Sequence, residues 1–403
     1  MSKKVRSYIV YVVVFSLVAI LLKFYYLSQR GYEMDIATFI DWSFKITKGG
    51  FWSLYSSGYQ SGLDYPPLVP FIGNYWLKLR EIMPFTDLQI FKLMTTLAEV
   101  IFSILTAIFI YRSKSKYKIA LLAFVIIQPS LGLVTSAWGQ VDSILSLFVI
   151  CGFLLIEKNL YLSSLFLFLA FLTKPQAALA IFVFFLIVLL KKGFLNFLKQ
   201  GLLWLAMILA MVWLFSLHGS NFMSVYLLST GRYPHLSMNA FNLWWIFFGE
   251  QAHSLSDSLG TFISYKNLGF LLFGVFLLPG IYFLYKKAKT LPDYFLVAAY
   301  AYILFFVFPT QIHERYLFPA LALLPFAAVK SKSLFWVYVV FSITLFINNY
   351  AILQYAYPQF PIFSSLAPEN WVGDWTRPVA IVNVLLAIYL AIYFFYESKK
   401  KTR

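Results

Sequence analysis

Apolar runs, each close to the length that crosses a bilayer, follow one another along almost the whole of this chain. A helical span needs roughly 20 apolar residues, with about 17 tolerated. Candidates lie at 8–26, 88–110, 119–136, 141–156, 160–173, 175–190, 197–217, 268–285, 293–308, 314–329, 333–355 and 377–396. They predict an all-α polytopic transmembrane helical bundle of about 12 spans, range 11–13, forming a single integral-membrane domain over 1–403. A composition that is 61% hydrophobic, with mean hydropathy +0.77, excludes a soluble domain of this length. The lone Cys151, inside an apolar run, excludes an internal disulfide and a cysteine-rich metal site.

The net charge of +16 would suit nucleic acid, so the positions of the charges decide its meaning. Lys3, Lys4 and Arg6 precede the first run, and no small-residue cleavage site occurs before Lys23. That end reads as an uncleaved anchor with a cytoplasmic N-terminus. Threading onward, "RSKSKYK" (112–118), "KKGFLNFLK" (191–199), "KKAK" (286–289), "KSK" (330–332) and "KKKTR" (399–403) all fall on the cytoplasmic side. With Lys158 and the N-terminus they hold well over half of the 32 Lys and Arg, so the excess marks membrane orientation and nucleic acid is not an expected partner. This threading requires "YPPLVPFIGNYWLKL" (65–79) to be a re-entrant or interfacial helix after a double-proline turn, because a crossing there would invert every later loop.

The opposite side carries the chemistry. Long segments at 27–87, 218–267 and 356–376 emerge there, with short turns at 136–143, 172–177 and 309–316. All four His lie on that side, and of the 16 acids only Glu157, Asp293 and Glu397 map to cytoplasmic loops. Titratable groups gathered at one interface build a site.

In "EMDIATFIDW", Asp35, Phe39 and Trp42 share one helical face, and Asp41 points elsewhere. An amphipathic interfacial helix with solvated acids would give the same pattern, for Glu33 and Asp41 above all. "DYPP" (64–67) reads first as an extended turn, since Tyr65 precedes a proline. "WGQVDS" puts Asp142 at a helix start, where capping alone would explain it but would leave Trp138 and Gln140 without a role. Lys174 in "TKPQ" breaks the positive-inside tendency, so an anionic headgroup is its simplest partner and snorkelling the alternative. "HER" clusters His313, Glu314 and Arg315, with a local Glu314–Arg315 charge balance as the plainer reading; Arg232 and His235 in "GRYPH" are a weaker set. Glu99, inside the second run, is expected to pack inward and hydrogen-bond.

Taken in order, "EMD" (33–35), "DYPP", "WGQVDS", "TKPQA" and "HERYLFP" resemble the motifs of integral-membrane GT-C glycosyltransferases. The closest branch holds the second mannosyltransferase of glycosylphosphatidylinositol assembly and its prokaryotic relatives. The resemblance runs from about 33 to 320. It implies transfer of a sugar, with mannose the guess, from a polyprenyl-phosphate donor to a lipid, glycan or protein acceptor on the non-cytoplasmic face. The membrane would be the plasma membrane in a prokaryote and the endoplasmic reticulum in a eukaryote. Asp35 is implied as general base, and such a reaction also needs cations at the departing phosphate, for which Lys174, Arg315 and His313 stand ready, with Arg232 in reserve. Glu33, Asp41, Asp64, Tyr65, Trp138, Gln140 and Asp142 would line the acceptor or sugar site. The resemblance fixes no cofactor; "EMD" departs from a plain Asp-X-Asp, and a divalent cation, Mg or Mn, stays open. A ligase or polymerase using a lipid-diphosphate donor would also want exterior cations. A secondary transporter would suit the even number of spans, but its site belongs near the midplane.

Overall fold

The computed structural model describes residues 3–56, 63, 65–229, 231–260, 262–356 and 376–400. Asp64 and most of the expected 356–376 segment lie outside the described residues. Helices account for about three-quarters of the described backbone, and among the described residues there are isolated β-bridges but no strands. In chain order the helices are α1 (Lys3–Ser28), α2 (Glu33–Gly49), α3 (Ser53–Ser56), α4 (Leu68–Trp76), α5 (Asp87–Arg112), α6 (Lys118–Ile127) and α7 (Pro129–Gly132). Then come α8 (Asp142–Leu155), α9 (Leu160–Phe171), α10 (Ala177–Ile187), α11 (Phe194–Ser216), α12 (Ser224–Ser229) and α13 (Leu243–Phe248). The last are α14 (Tyr265–Lys286), α15 (Leu291–Val307), α16 (Phe318–Ala328), α17 (Lys332–Ala356) and α18 (Thr376–Lys399).

Among the described residues, seven helices are long and apolar enough to cross a membrane: Val10–Ser28, Asp87–Arg112, Lys118–Ala137, Phe194–Ser216, Tyr265–Lys286, Lys332–Gln354 and Thr376–Lys399. Asp142–Leu155, Leu160–Phe171, Leu291–Val307 and Phe318–Ala328 are apolar but shorter. The molecule is thus a helical bundle of the membrane type, and its exterior agrees. Leu21, Leu202, Leu278 and Ile392 each leave more than half of their surface uncovered, which is stable against hydrocarbon and costly against water.

The 65–79 stretch forms α4, 9 residues long, continued by a 3₁₀ helix over Leu77–Glu81. At 1.5 Å and about 2 Å per residue the two reach about 24 Å, short of a roughly 30 Å hydrocarbon core.

Short helices hold the centre. Every residue of α16 is buried, and nearly all of α15. A helix that is apolar all round must be surrounded, and α16 packs against α15, α17, α8 and α5. The brevity of α8, α9 and α16 beside α1, α5 and α17 lets the turns joining them sink into the bundle. Residues 131–146, 172–174, 314–315 and 317–328 are accordingly buried. Irregular backbone at such depth needs protein partners for its polar groups, and these turns have them.

The two ends of the bundle differ in kind. At one, Lys192 pairs with Glu157, Lys330 with Asp293, Lys191 Nζ donates to the Tyr285 carbonyl at 3.1 Å, and Lys287 Nζ donates to the Lys400 carbonyl. The basic loops therefore share that end. At the other, Leu68 N–H donates to the Leu172 carbonyl at 2.9 Å, and Met238 N–H to that of Ile312 at 2.9 Å. The "EMD", "WGQVDS", "TKPQ" and "HER" segments meet there.

Candidate functional site

The site begins with the turn between α1 and α2. Gly31 has φ +68°, and a Cβ there would sit 2.1 Å from the Ala137 carbonyl oxygen, so only glycine permits this approach. Lys92, fully buried on α5, donates to the carbonyls of Tyr26 (3.4 Å) and Gln29 where α1 ends. A cation suits the unsatisfied carbonyls of a helix C-terminus. Together these fix the point at which α2 enters.

On α2 the apolar positions Ile36, Phe39, Trp42 and Ile46 are buried. Phe39 lies edge-on to Tyr65 at 5.0 Å and stacks on Phe91 at 5.1 Å, which sets the rotation of the helix. Asp35 is consequently presented to the 138–140 turn. Glu33 and Asp41 are not: Glu33 lies 3.5 Å from Arg30, and Asp41 is 2.8 Å from Lys45, both on exposed surface. At 100° per residue, six positions turn Asp41 about 120° away from Asp35. Glu33 and Asp41, both candidates for the acceptor or sugar site, thus face away from Asp35, whereas Tyr65 of "DYPP" is brought in.

The opposing wall is a widened helical turn. After α7 the backbone makes a π-type turn over Leu133–Ala137, and the Gln140 N–H reaches back to the Val134 carbonyl at 3.0 Å. Hydrogen bonds from α5 hold it: Thr95 Oγ1 donates to the Thr135 carbonyl at 2.8 Å, Thr96 Oγ1 to Ser136 Oγ at 2.9 Å, and Thr135 Oγ1 to Glu99. Glu99 in turn pairs with Lys23 at 2.6 Å, so this acid packs inward with partners at hand. Gly139, at φ +82°, then redirects the chain; a Cβ there would press on Ile36 and Lys92 at 3.0 Å.

The result is a carboxylate held by one oxygen. Trp138 Nε1 donates to Asp35 Oδ2 at 3.1 Å and Gln140 Nε2 donates to it at 2.6 Å, while Arg315 lies 3.9 Å from the same atom. Among the described residues Oδ1 has no hydrogen-bond partner, and the side chain is 31% exposed. Tyr32 stacks on Trp138 at 5.5 Å from one side, and the Arg315 guanidinium lies 5.5 Å from the same indole ring.

Arg315 joins Asp35 to the third segment. Its other arm donates to Glu314 at 2.6 Å, and His313 Nδ1 lies 3.9 Å from Glu314. Burial alone would raise the Glu314 carboxyl, but Arg315 and His313 outweigh it and hold the group at about 2. Burial, reinforced by repulsion from Arg315, lowers His313 and keeps it neutral near pH 7. Arg315 itself is kept charged well beyond its usual range: burial opposes this, and Glu314 with Asp35 overcome it. Among the described residues its buried Nε has no hydrogen-bond partner, and neither has Gln140 Oε1.

Lys174 and Asp142 form a second pair. The Lys174 ammonium donates to both carboxylate oxygens at 3.0 and 2.9 Å, and the side chains are 3% and 1% exposed. The rings of Tyr65 and Tyr316 lie 5.7 and 5.2 Å from Nζ. Burial draws the ammonium below the ordinary lysine value, with Asp142 pulling the other way. The anion that answers Lys174 is therefore Asp142, 32 residues before it, and no headgroup is needed to balance its charge. Nor does Asp142 cap α8, whose N-cap is Val141 without a side-chain bond. Arg232 lies farther out, over Tyr233 at 5.4 Å, and that ring meets His313 edge-on at 5.7 Å.

Among the described residues no three His, Cys, Asp or Glu side chains converge on a metal position. Glu33 and Asp35 diverge, and Oδ2 of Asp35 is crowded by nitrogen donors, so the described part of "EMD" does not fit a divalent cation. Lys92, Lys23, Tyr32 and Tyr316 were not legible as site residues; Lys92 and Lys23, charges near the ends of apolar runs, carried a signal in the sequence. No model of a known protein family and no curated protein matches the chain.

Proposed function

We propose that this chain is an integral-membrane glycosyltransferase of the GT-C type, with about 12 spans. It would move a sugar from a polyprenyl-phosphate donor to an acceptor hydroxyl, with the site on the non-cytoplasmic face. The observation that carries the reading is Asp35, whose Oδ2 is held by Trp138 and Gln140 with Arg315 3.9 Å away, while the side chain remains 31% exposed. A general base must be aimed and reachable, and a side chain held through one oxygen yet partly exposed suits that role. The acceptor oxygen attacks the anomeric carbon as its proton passes to Oδ1. The bond from that carbon to the phosphate oxygen breaks, and the departing polyprenyl phosphate keeps the electron pair. Arg315 Nε, without a partner among the described residues, and His313 beside it are the groups that would meet the developing charge. Gln140 Oε1, an unused acceptor, suits a sugar hydroxyl. Mannose remains the first sugar to try.

The test is an assay of purified protein in lipid nanodiscs against polyprenyl-phosphate mannose, glucose, galactose and arabinose, with membrane glycolipid as acceptor. Transfer from one of these supports the reading. No transfer from any, together with counterflow of a free solute in proteoliposomes, would replace it with transport.

A further inference from the structure

At the end of the bundle away from Asp35, two basic loops flank an open hollow of about 430 Å³ between the α5–α6 turn and the α16–α17 turn. Lys114 and Lys116 line it from one loop, Lys330 and Lys332 from the other. Lys330 is paired with Asp293, but Lys114, Lys116 and Lys332 have no carboxylate partner among the described residues. Three unneutralised ammonium groups around one hollow repel one another, and an anion placed between them relieves that repulsion. The first turn of α6 opens onto the same hollow with no side-chain cap, since its N-cap Tyr117 supplies none. Ser115 lines the hollow as a neutral hydrogen-bonding group.

The depth of the cavity indicates what fills it. Tyr111 and Trp336, about one turn further along α5 and α17, are half exposed, as is Ile119 on α6 to a similar degree. Exposed aromatic rings just inside a ring of lysines mark the headgroup level of a bilayer. The space would hold on the order of ten waters, enough for a phosphate with its glycerol. We propose that this cavity binds the phosphate of an anionic phospholipid headgroup, at a site separated from Asp35 by most of the length of α5, roughly 30 Å. The proposal is independent of glycosyl transfer.

The experiment uses full-length protein in mild detergent, titrated with phosphatidylglycerol, phosphatidylcholine or inorganic phosphate and read by native mass spectrometry and thermal shift. Wild-type protein should retain phosphatidylglycerol in preference to phosphatidylcholine. Replacing Lys114, Lys116 and Lys332 with Gln should weaken retention roughly a hundredfold, at about fivefold per cation. The corresponding Arg triple should keep it, which separates loss of charge from misfolding. The Gln triple of Lys286, Lys287 and Lys289, at the same end but outside the cavity, should bind as wild type. Equal weakening in that control, or none in the first triple, overturns the site. Saturation by millimolar inorganic phosphate without retention of lipid overturns the lipid source.

Discussion

Lys174 and Asp142 offer the clearest energetic prediction. Their charges lie 2.9 and 3.0 Å apart with almost no exposure. Lys174→Met would leave a carboxylate stranded among apolar groups, and Asp142→Asn an ammonium. Breaking a buried pair from one side costs about 3–5 kcal/mol, whereas replacing both partners removes both stranded charges. The double variant should therefore cost only about 1–3 kcal/mol, the worth of an imperfectly satisfied buried amide. That leaves a coupling energy of at least about 3 kcal/mol in the double-mutant cycle. Lys45 and Asp41 make the control, because they are as close, at 2.8 Å, but half exposed. Their cycle should give no more than about 0.5 kcal/mol. Both cycles can be measured by reversible unfolding in mixed detergent, followed by tryptophan fluorescence. Single variants of the buried pair that each cost under about 1 kcal/mol, with coupling no larger than the control, would mean that the pair is hydrated and the packing described around it is wrong.

Three further outcomes follow from the geometry. Gly31→Ala should destabilise by about 2–4 kcal/mol, combining a left-handed backbone with a collision against the Ala137 carbonyl. Gly193→Ala, also at positive φ but with open space around it, should cost about 1 kcal/mol in the same unfolding assay. Gln140→Leu should slow transfer roughly ten- to a hundredfold through loss of one charge-assisted hydrogen bond to Asp35, with donor affinity little changed in a binding titration. Stability should fall in two stages on acidification. His313 is lowered in the folded state, so the unfolded chain binds its proton first and stability declines below 6.5; Glu314 is held at about 2, so its contribution is complete above 4.5 and is lost as pH falls toward 2. Melting curves from pH 8 to 2 should lose the first stage in His313→Asn and the second in Glu314→Gln.

The sequence was most legible where solvent imposes the pattern. Hydrocarbon demands continuous apolar helix, so α1, α5, α11, α14, α17 and α18 lie over the runs that announced them. The face of α2 was also readable, because 100° per residue alone groups Asp35 with Phe39 and Trp42. Pairings across the bundle were not. That Lys174 answers Asp142, or that Lys92 closes the end of α1, depends on how α5, α8 and α9 pack, and no local period encodes it. The recessed turns also escaped notice, since they arise from the shortness of α8, α9 and α16 relative to their neighbours and not from any motif.

The most direct test is to compare Asp35→Asn with Asp41→Asn in the transfer assay, using the donor that wild-type protein accepts. Asn keeps the shape of Asp35 but cannot take the acceptor proton at Oδ1. Turnover should fall about a hundredfold or more while the donor still binds. Asp41, turned toward Lys45 on exposed surface, should tolerate the same change with near-normal turnover. Full activity in Asp35→Asn, or an equal loss in both variants, would contradict the assignment of Asp35 as the base.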